Sequence, residues 1–174
     1  MTRRQLIAAA GALLPGMSVA GPLAGRRVPS FALPDATLKL HDVLDYRGKP
    51  LLIDIMQTSC AHCQSMAPNM ERVRTKYAGR IGMLSIVVPP DTQATVAQFV
   101  AKFRVGFPIL FDCGQTTAAI LNVGPRNPKI DLPQLLLVDA KGMIREDWTW
   151  TEATKDILEG TGVDAALDKL LAAK

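Results

Sequence analysis

An apolar segment followed closely by a pair of cysteines is the feature that most constrains this chain. Residues 50–56 (PLLIDIM) are apolar except for Asp54 and have the length of a strand, which predicts a central strand covered on both faces. From residue 60 to residue 76 the apolar side chains recur at spacings of three and four, as in a helix. The motif Cys60-Ala61-His62-Cys63 is therefore predicted to open a helix directly after a buried strand.

Strand and helix patterns alternate through the middle of the chain, and two strands follow in succession. The pattern predicts strands over 81–88, 107–111, 134–138 and 144–150, and helices over 60–76, 92–103, 116–121 and 163–173. An alternating segment over 37–41 predicts a half-buried edge strand, and residues 139–142 suit a hairpin turn. This order predicts an α/β fold with one central mixed sheet flanked by helices.

The first 20 residues have the pattern of an export signal. Arg3 and Arg4 carry positive charge, residues 5–20 carry none, and Ser18-Val19-Ala20 supplies the small residues of a cleavage site. Export by the general secretory route and by the twin-arginine route are both open, and an uncleaved membrane anchor is the minority alternative. We expect an exported, periplasmic protein with a signal peptide over 1–20, a flexible lead-in over 21–30 and one domain over 31–174.

Charge and loop patterns argue against several classes of partner. The 174 residues carry a formal net charge of +4 at pH 7. Arg3 and Arg4 of the predicted leader supply two of these charges, and no basic cluster suggests a nucleic-acid surface. The glycine-rich phosphate loops of nucleotide-binding proteins are missing from the sequence, so we expect no cofactor. A monomer is expected.

The spacing of Cys60 and Cys63 suits thiol–disulfide chemistry. Three residues apart on a first helical turn, their sulfurs can reach disulfide geometry. Unpaired backbone N–H groups and the positive end of the helix dipole stabilise a thiolate at the first sulfur, so Cys60 is the predicted nucleophile. His62, when protonated, would add positive charge and make the disulfide a stronger oxidant.

A metal site and a purely structural disulfide are weaker interpretations of the same motif. One CxxC supplies two of the four ligands that a structural zinc needs, and Cys113 and His41 lie in separate segments without ligand spacing, so no metal is expected. A disulfide that closes so small a loop removes little chain entropy. Cys113 is expected to be a small buried residue near a strand end, with a reactive thiol as the alternative, and His41 a surface residue.

The linked features resemble the thioredoxin-like superfamily, specifically its exported TlpA/ResA-like branch of thiol–disulfide oxidoreductases, a redoxin or AhpC/TSA-like group. The resemblance covers residues 31–150. It rests on the strand, CxxC and helix, on Asp54 six residues before Cys60, on Pro68 five after Cys63, on Leu132-Pro133 and on the turn at 139–142. It implies a thioredoxin-like fold with an extra N-terminal strand and a central helix–strand insertion over 92–111.

The resemblance also implies roles for residues outside the motif. Asp54 would be a buried acid that accepts the proton of Cys63 during exchange. Pro133 would be a cis-proline packed against the redox pair, and the backbone of Leu132 would pair with an extended substrate. The predicted catalytic residues are Cys60, Cys63, His62, Asp54 and Pro133, and the predicted substrate-binding residues are Leu132 and Pro133.

Three functions are open at this point, and the first is the leading prediction. It is a thiol–disulfide oxidoreductase that exchanges disulfides with exported proteins, in either direction, together with a membrane redox partner. The second is a peroxiredoxin-like thiol peroxidase, although Pro-x-x-x-Thr-x-x does not precede Cys60 and Thr58 lies only two residues before it. The third is a copper-binding assembly protein, since soft thiolates suit Cu(I).

Overall fold

The computed structural model describes residues 21–125 and 128–173. The predicted signal peptide over 1–20 lies outside these residues and stays a prediction. Within the described part of the chain, no helix combines the length and the apolar character that a membrane crossing requires. The elements in chain order are β1 (Ala32–Pro34), β2 (Leu40–Asp42), a 3₁₀ helix (Val43–Tyr46), β3 (Leu51–Met56), α1 (Ala61–Lys76), β4 (Gly82–Val87), α2 (Gln93–Phe103), β5 (Ile109–Phe111), α3 (Gln115–Leu121), β6 (Gln134–Val138), β7 (Ile144–Thr149), α4 (Lys155–Glu159) and α5 (Gly162–Ala172).

A five-stranded mixed sheet with the order β5-β4-β3-β6-β7 forms the centre of the fold. Strands β3, β4 and β5 are parallel, whereas β6 and β7 run antiparallel to their neighbours. All six residues of β3 are buried, as the apolar segment predicts. The predicted mixed sheet, the helix–strand insertion of α2 and β5 and the β6–β7 hairpin are confirmed. Because the parallel strands β3, β4 and β5 end at the same edge, the segments that follow them meet there.

Side chains of β3 alternate between the two faces of the sheet, which assigns Asp54 to one layer. Ile53 and Ile55 pack in a cluster that includes side chains of α3. Leu52 and Met56 pack on the other face, in clusters that include side chains of α1. Asp54 shares this second face because side chains two residues apart in a strand point the same way. Its carboxyl therefore lies in the layer between the sheet and α1.

The prediction of a half-buried strand over 37–41 is wrong in its start and in its burial. The Asp35 carboxylate accepts hydrogen bonds from the backbone N–H groups of Thr37 at 2.8 Å and Lys39 at 3.2 Å, a local turn that competes with strand pairing. Strand β2 begins only at Leu40, whose side chain is 65% exposed. It pairs with β1 in a separate two-stranded ribbon. The predicted extra N-terminal strand is therefore present as part of this ribbon and does not join the five-stranded sheet.

Residues 21–30 are not the flexible lead-in that their glycine, proline and arginine content predicts. Leu23 and Val28 are buried in the main core cluster. The backbone N–H of Gly25 donates to the carbonyl of Ile144 at 2.8 Å, which ties the segment to β7. Two well-spaced apolar side chains are enough to dock the segment against the sheet, so the folded unit includes it.

Candidate active site

Cys60 occupies the N-cap of α1, between the helix and the chain segment before β6. Its sulfur accepts the backbone N–H of Cys63 at 3.3 Å and donates toward the carbonyl oxygen of Leu132 at 3.8 Å. Both cysteines are free thiols, Cys60 partly exposed and Cys63 only 1% exposed. The pair therefore presents one accessible sulfur with a second, buried sulfur behind it.

The buried acid predicted from the sequence lies beneath this pair. Asp54 is 2% exposed, and the hydroxyl of Ser85 on β4 donates to its Oδ2 at 2.7 Å. Burial raises the pKa of Asp54 to about 7, although the hydrogen bond from Ser85 lowers it. Burial, followed by the charge of Asp54 and the hydrogen bond with Cys60, raises the pKa of the Cys63 thiol above its usual range. The carboxyl and the inner thiol are thus electrostatically linked.

The Leu132–Pro133 peptide bond is cis, as the resemblance implies. Pro133 is buried, and the partly buried Leu132 packs on the same apolar cluster as Cys60 and Cys63. A second cis bond, Pro89–Pro90, follows β4 and was not predicted. The segment before β6 lies beside the pair, since the Leu132 carbonyl oxygen is 3.8 Å from the Cys60 sulfur.

A network centred on Asp91 holds the loop that precedes Cys60. The Asp91 carboxylate accepts the backbone N–H of Thr58 at 2.9 Å, and it also accepts the hydroxyl of Thr58. The hydroxyl of Thr95 on α2 donates to the same carboxylate at 3.0 Å. The side-chain amide of Gln57 donates to the carbonyl of Pro89 at 3.0 Å. The loop between β3 and α1 is thereby tied to the loop between β4 and α2.

His62 contacts two residues from the far end of the chain that the sequence does not connect with it. Its ring stacks on Trp150 with centroids 3.7 Å apart and planes 19° apart. Glu159, at the end of α4, accepts the indole N–H of Trp150 at 2.8 Å and lies 3.9 Å from His62 Nδ1. A protonated His62 therefore has a carboxylate beside it, which reduces the extra oxidising power expected from its charge.

The two tryptophans of the last strand have different roles. Trp148 is buried in one cluster with Val163 and Leu167 of α5. Trp150 follows the end of β7 and reaches the rim of the site at His62. The five-residue helix α4 brings Glu159 back to His62 and Trp150. Sequence patterns miss this helix because it is too short to show periodicity.

Two other predictions need correction or refinement. Cys113 is exposed, not buried: it lies in the segment between the end of β5 and the start of α3, outside the apolar layers of the sheet. His41 lies at the surface but is only partly exposed, and its Nε2 lies 2.9 Å from Asp35 Oδ2. That hydrogen bond is the main reason that the pKa of Asp35 is held well below its usual range. Within residues 21–125 and 128–173, no group of three His, Cys, Asp or Glu side chains could hold a metal ion.

Comparison with known families supplies the identity of the fold and the enzyme class. The model of the AhpC/TSA family matches residues 24–147, which span the whole site from Asp54 to Pro133. The chain belongs to the AhpC/TSA family. Thiol-disulfide oxidoreductase ResA of Bacillus thuringiensis is 29% identical to it over 136 residues, covering 78% of this chain and 75% of that protein. With the Cys60–Cys63 pair in place, this AhpC/TSA-family protein is a thiol–disulfide oxidoreductase, and the predicted ResA-like resemblance is confirmed.

Solved structures confirm the thioredoxin-like fold of this family member. A thiol:disulfide interchange protein of the thioredoxin family from Chlorobium tepidum has a TM-score of 0.71 and 18% identity, covering 83% of this chain and 95% of that one. Peroxidoxin BcpB of Mycobacterium tuberculosis has a TM-score of 0.65 and 17% identity, covering 87% and 97%. A thiol:disulfide interchange protein and a peroxidoxin thus share this fold, so the fold does not separate the two activities. The residues around Cys60 and Cys63 have to be compared for that purpose.

The buried Asp54 makes the stability of the protein depend on pH. Its pKa is raised from 3.8 to about 7 on folding, so the folded state binds this proton more tightly than the unfolded state. The contribution of Asp54 to stability is therefore most favourable at low pH and declines as the pH rises from about 4 to about 7. We expect Asp54→Asn to leave the free energy of unfolding nearly unchanged at pH 4 and to raise it at pH 8, by up to about 4 kcal/mol.

Urea unfolding of the reduced wild-type and variant proteins at the two pH values measures this difference. An equal change at both pH values would contradict the assignment of a raised pKa to Asp54, since a pH-independent effect reflects packing alone.

The Asp91 network predicts a second, structural effect on the site. Asp91→Ala leaves the N–H and hydroxyl of Thr58 without their acceptor, so we expect a loss of about 1–3 kcal/mol in the free energy of unfolding and a slower reduction of a protein disulfide. Chemical denaturation and an insulin reduction assay measure the two effects. Asp45→Ala, at an exposed carboxylate of the 3₁₀ helix, is the matched control and is expected to change neither. Wild-type stability in Asp91→Ala would show that the network does not hold the loop.

Proposed function

We propose that this oxidoreductase exchanges disulfides with exported proteins through Cys60 and Cys63. The observation that carries the proposal is the division of labour in the pair, with an accessible sulfur at the N-cap of α1 and a buried sulfur behind it. Two-step exchange needs this arrangement, one thiol to meet the partner and one to release it. The leader predicted over 1–20 supports partners outside the cytoplasm, where disulfides persist, and a membrane redox partner that restores the pair.

In the reducing direction, the first step is attack by the Cys60 thiolate on one sulfur of a partner's disulfide. The partner's S–S bond breaks, a new S–S bond joins Cys60 to the partner, and the partner's other sulfur leaves as a thiolate that takes up a proton. The N–H of Cys63, 3.3 Å from the Cys60 sulfur, and the N-terminal end of α1 support a thiolate at this position.

In the second step, Cys63 releases the partner. Its thiol gives a proton to the Asp54 carboxylate, and the resulting thiolate attacks the Cys60 sulfur. The bond between Cys60 and the partner breaks, the partner's sulfur leaves as a thiolate that takes up a proton, and the Cys60–Cys63 disulfide forms. The partner gains two electrons and the pair loses two. In the oxidising direction the same steps run backwards.

Asp54 is suited to this proton transfer because of its environment. The Cys63 thiol is buried and its pKa is raised, so it needs an adjacent proton acceptor to become a nucleophile. A carboxyl whose pKa is about 7 can both accept and return a proton near neutral pH.

The segment at Leu132 and Pro133 is the proposed substrate-binding surface. The carbonyl oxygen of Leu132 lies 3.8 Å from the Cys60 sulfur, so an extended partner segment that pairs with the Leu132 backbone would bring its own sulfur to Cys60. The buried ring of Pro133 leaves no N–H and no long side chain beside the pair.

The peroxidase alternative has less support from the site. Thr58, the threonine nearest to Cys60, donates its hydroxyl to Asp91 within the loop network. Rapid oxidation of Cys60 by hydrogen peroxide would favour that alternative over exchange. The copper-binding alternative stays a prediction.

Trapping of covalent partners tests the proposal. Cys63→Ser lacks the releasing thiol, so it is expected to accumulate mixed disulfides through Cys60, whereas Cys60→Ser is expected to capture few. Both variants are made in a Cys113→Ser background, because the exposed Cys113 could form disulfides of its own. Non-reducing gels and mass spectrometry of the linked peptides, with insulin reduction as the activity assay, provide the measurement.

The matched control is Cys113→Ser alone, which should retain wild-type insulin reduction. Equal capture by the Cys60→Ser and Cys63→Ser variants, or full insulin reduction by either, would contradict exchange through this pair.

A further inference from the structure

Ser85 is a polar residue at the centre of the sheet whose side chain has one evident use. It is 0% exposed, and it lies opposite Asp54 in the parallel register of β4 and β3. Its hydroxyl donates to Asp54 Oδ2 at 2.7 Å, whereas Asp54 Oδ1 is buried without a hydrogen-bond partner among the described residues. The neighbours of Ser85 along β4, Leu84 and Ile86, are fully buried apolar residues, so an isolated hydroxyl here has a desolvation cost that its hydrogen bond offsets.

We propose that Ser85 is a positioning residue for the proton-transfer step: its hydroxyl holds Oδ2 of Asp54 and leaves Oδ1 as the oxygen that receives the proton of Cys63. The inference rests on the proposed function, because it assumes that Asp54 accepts that proton. Ser85 itself is neither oxidised nor reduced. In the reducing direction the proton passes from the Cys63 sulfur to Asp54, which can then give it up as the partner leaves as a thiolate and the Cys60–Cys63 disulfide forms.

The surroundings of Asp54 explain why one hydroxyl has a large effect. From α1, the titratable group that faces it is Cys63, with Cys60 beyond, and from β6 its neighbour in register is Leu135. The groups that adjoin the carboxyl from β4 and β6 are therefore one hydroxyl and one apolar side chain. A hydrogen bond to an ionised carboxylate in a dry environment is stronger than one at the surface, so Ser85 favours the ionised form that can take a proton.

The alternation of side chains along β3 and β4 explains how the Ser85 hydroxyl comes to face Asp54. Ser85 lies on the same face of β4 as Met83 and Val87, and these side chains pack in the clusters that include α1. A hydroxyl at this register position can reach Asp54 because the two residues are paired on adjacent strands. Alanine at the same position would keep the packing nearly unchanged and remove only the donor.

The test compares wild type, Ser85→Ala and Ser85→Thr in the reduced full chain. The first readout is the titration of the Asp54 side-chain carboxyl carbon by NMR, and the second is the pH dependence of insulin reduction. Loss of a hydrogen bond to a charged acceptor is expected to move the Asp54 midpoint upward by about 1–2 pH units in Ser85→Ala. The rate profile is expected to move with it, and Ser85→Thr, which restores the hydroxyl, is expected to return both toward wild type.

Asp54→Asn provides the control background, in which adding Ser85→Ala should leave the rate profile unchanged. An Asp54 midpoint in Ser85→Ala within about 0.2 units of wild type would overturn the proposal for Ser85. A midpoint that moves while the rate profile stays fixed would instead overturn the role of Asp54 as proton acceptor, on which the inference rests. Neither result would contradict disulfide exchange through Cys60, which the trapping of covalent partners tests separately.

Discussion

The pairing of β3 with β4 on one side and β6 on the other is the constraint on which the whole site depends. It buries every residue of β3 and fixes the edge of the sheet at which β3 ends. The helix α1 begins just beyond this edge, with Cys60 at its N-cap. The same pairing brings Ser85 beside Asp54 on one flank. On the other flank it brings the start of β6, and with it the Leu132 carbonyl, to the Cys60 sulfur. A change in register of either pair would separate the two sulfurs from their partners.

Burial of Asp54 illustrates how function opposes stability in this fold. A carboxyl in the layer between the sheet and α1 disfavours its charged form, so its pKa is raised to about 7 and the folded protein is less stable once the group ionises. The same raised pKa suits Asp54 to the proton transfer with Cys63 that we propose. At the rim, His62 Nδ1 lies 3.9 Å from the Glu159 carboxylate, so any positive charge on the ring faces a negative one.

Local patterns predicted the central part of the fold and the site, and long-range contacts explain what they missed. The apolar run of β3 and the CxxC spacing predicted the strand–cysteine–helix junction, and the resemblance placed Asp54 and Pro133. Trp150 and Glu159 contact His62 although each lies about 90 residues or more after it in the sequence, so no local pattern connects them. The side chain of Asp35 holds residues 37–39 in a turn in place of strand pairing. The exposure of Cys113 depends on the path of the chain between β5 and α3, which apolar patterns do not specify.

In the proposed exchange the two thiols have different roles: Cys60 is accessible and attacks the partner, whereas Cys63 is buried and attacks only in the second step. Site-resolved alkylation of the reduced wild-type protein by iodoacetamide at pH 7, followed over time by peptide mass spectrometry, tests it directly. Cys60 is expected to be modified about tenfold or more faster than Cys63, and Cys63 is expected to react rapidly only when the protein is unfolded in urea. Modification of Cys63 in the folded protein as fast as that of Cys60 would show that the two thiols do not differ in accessibility.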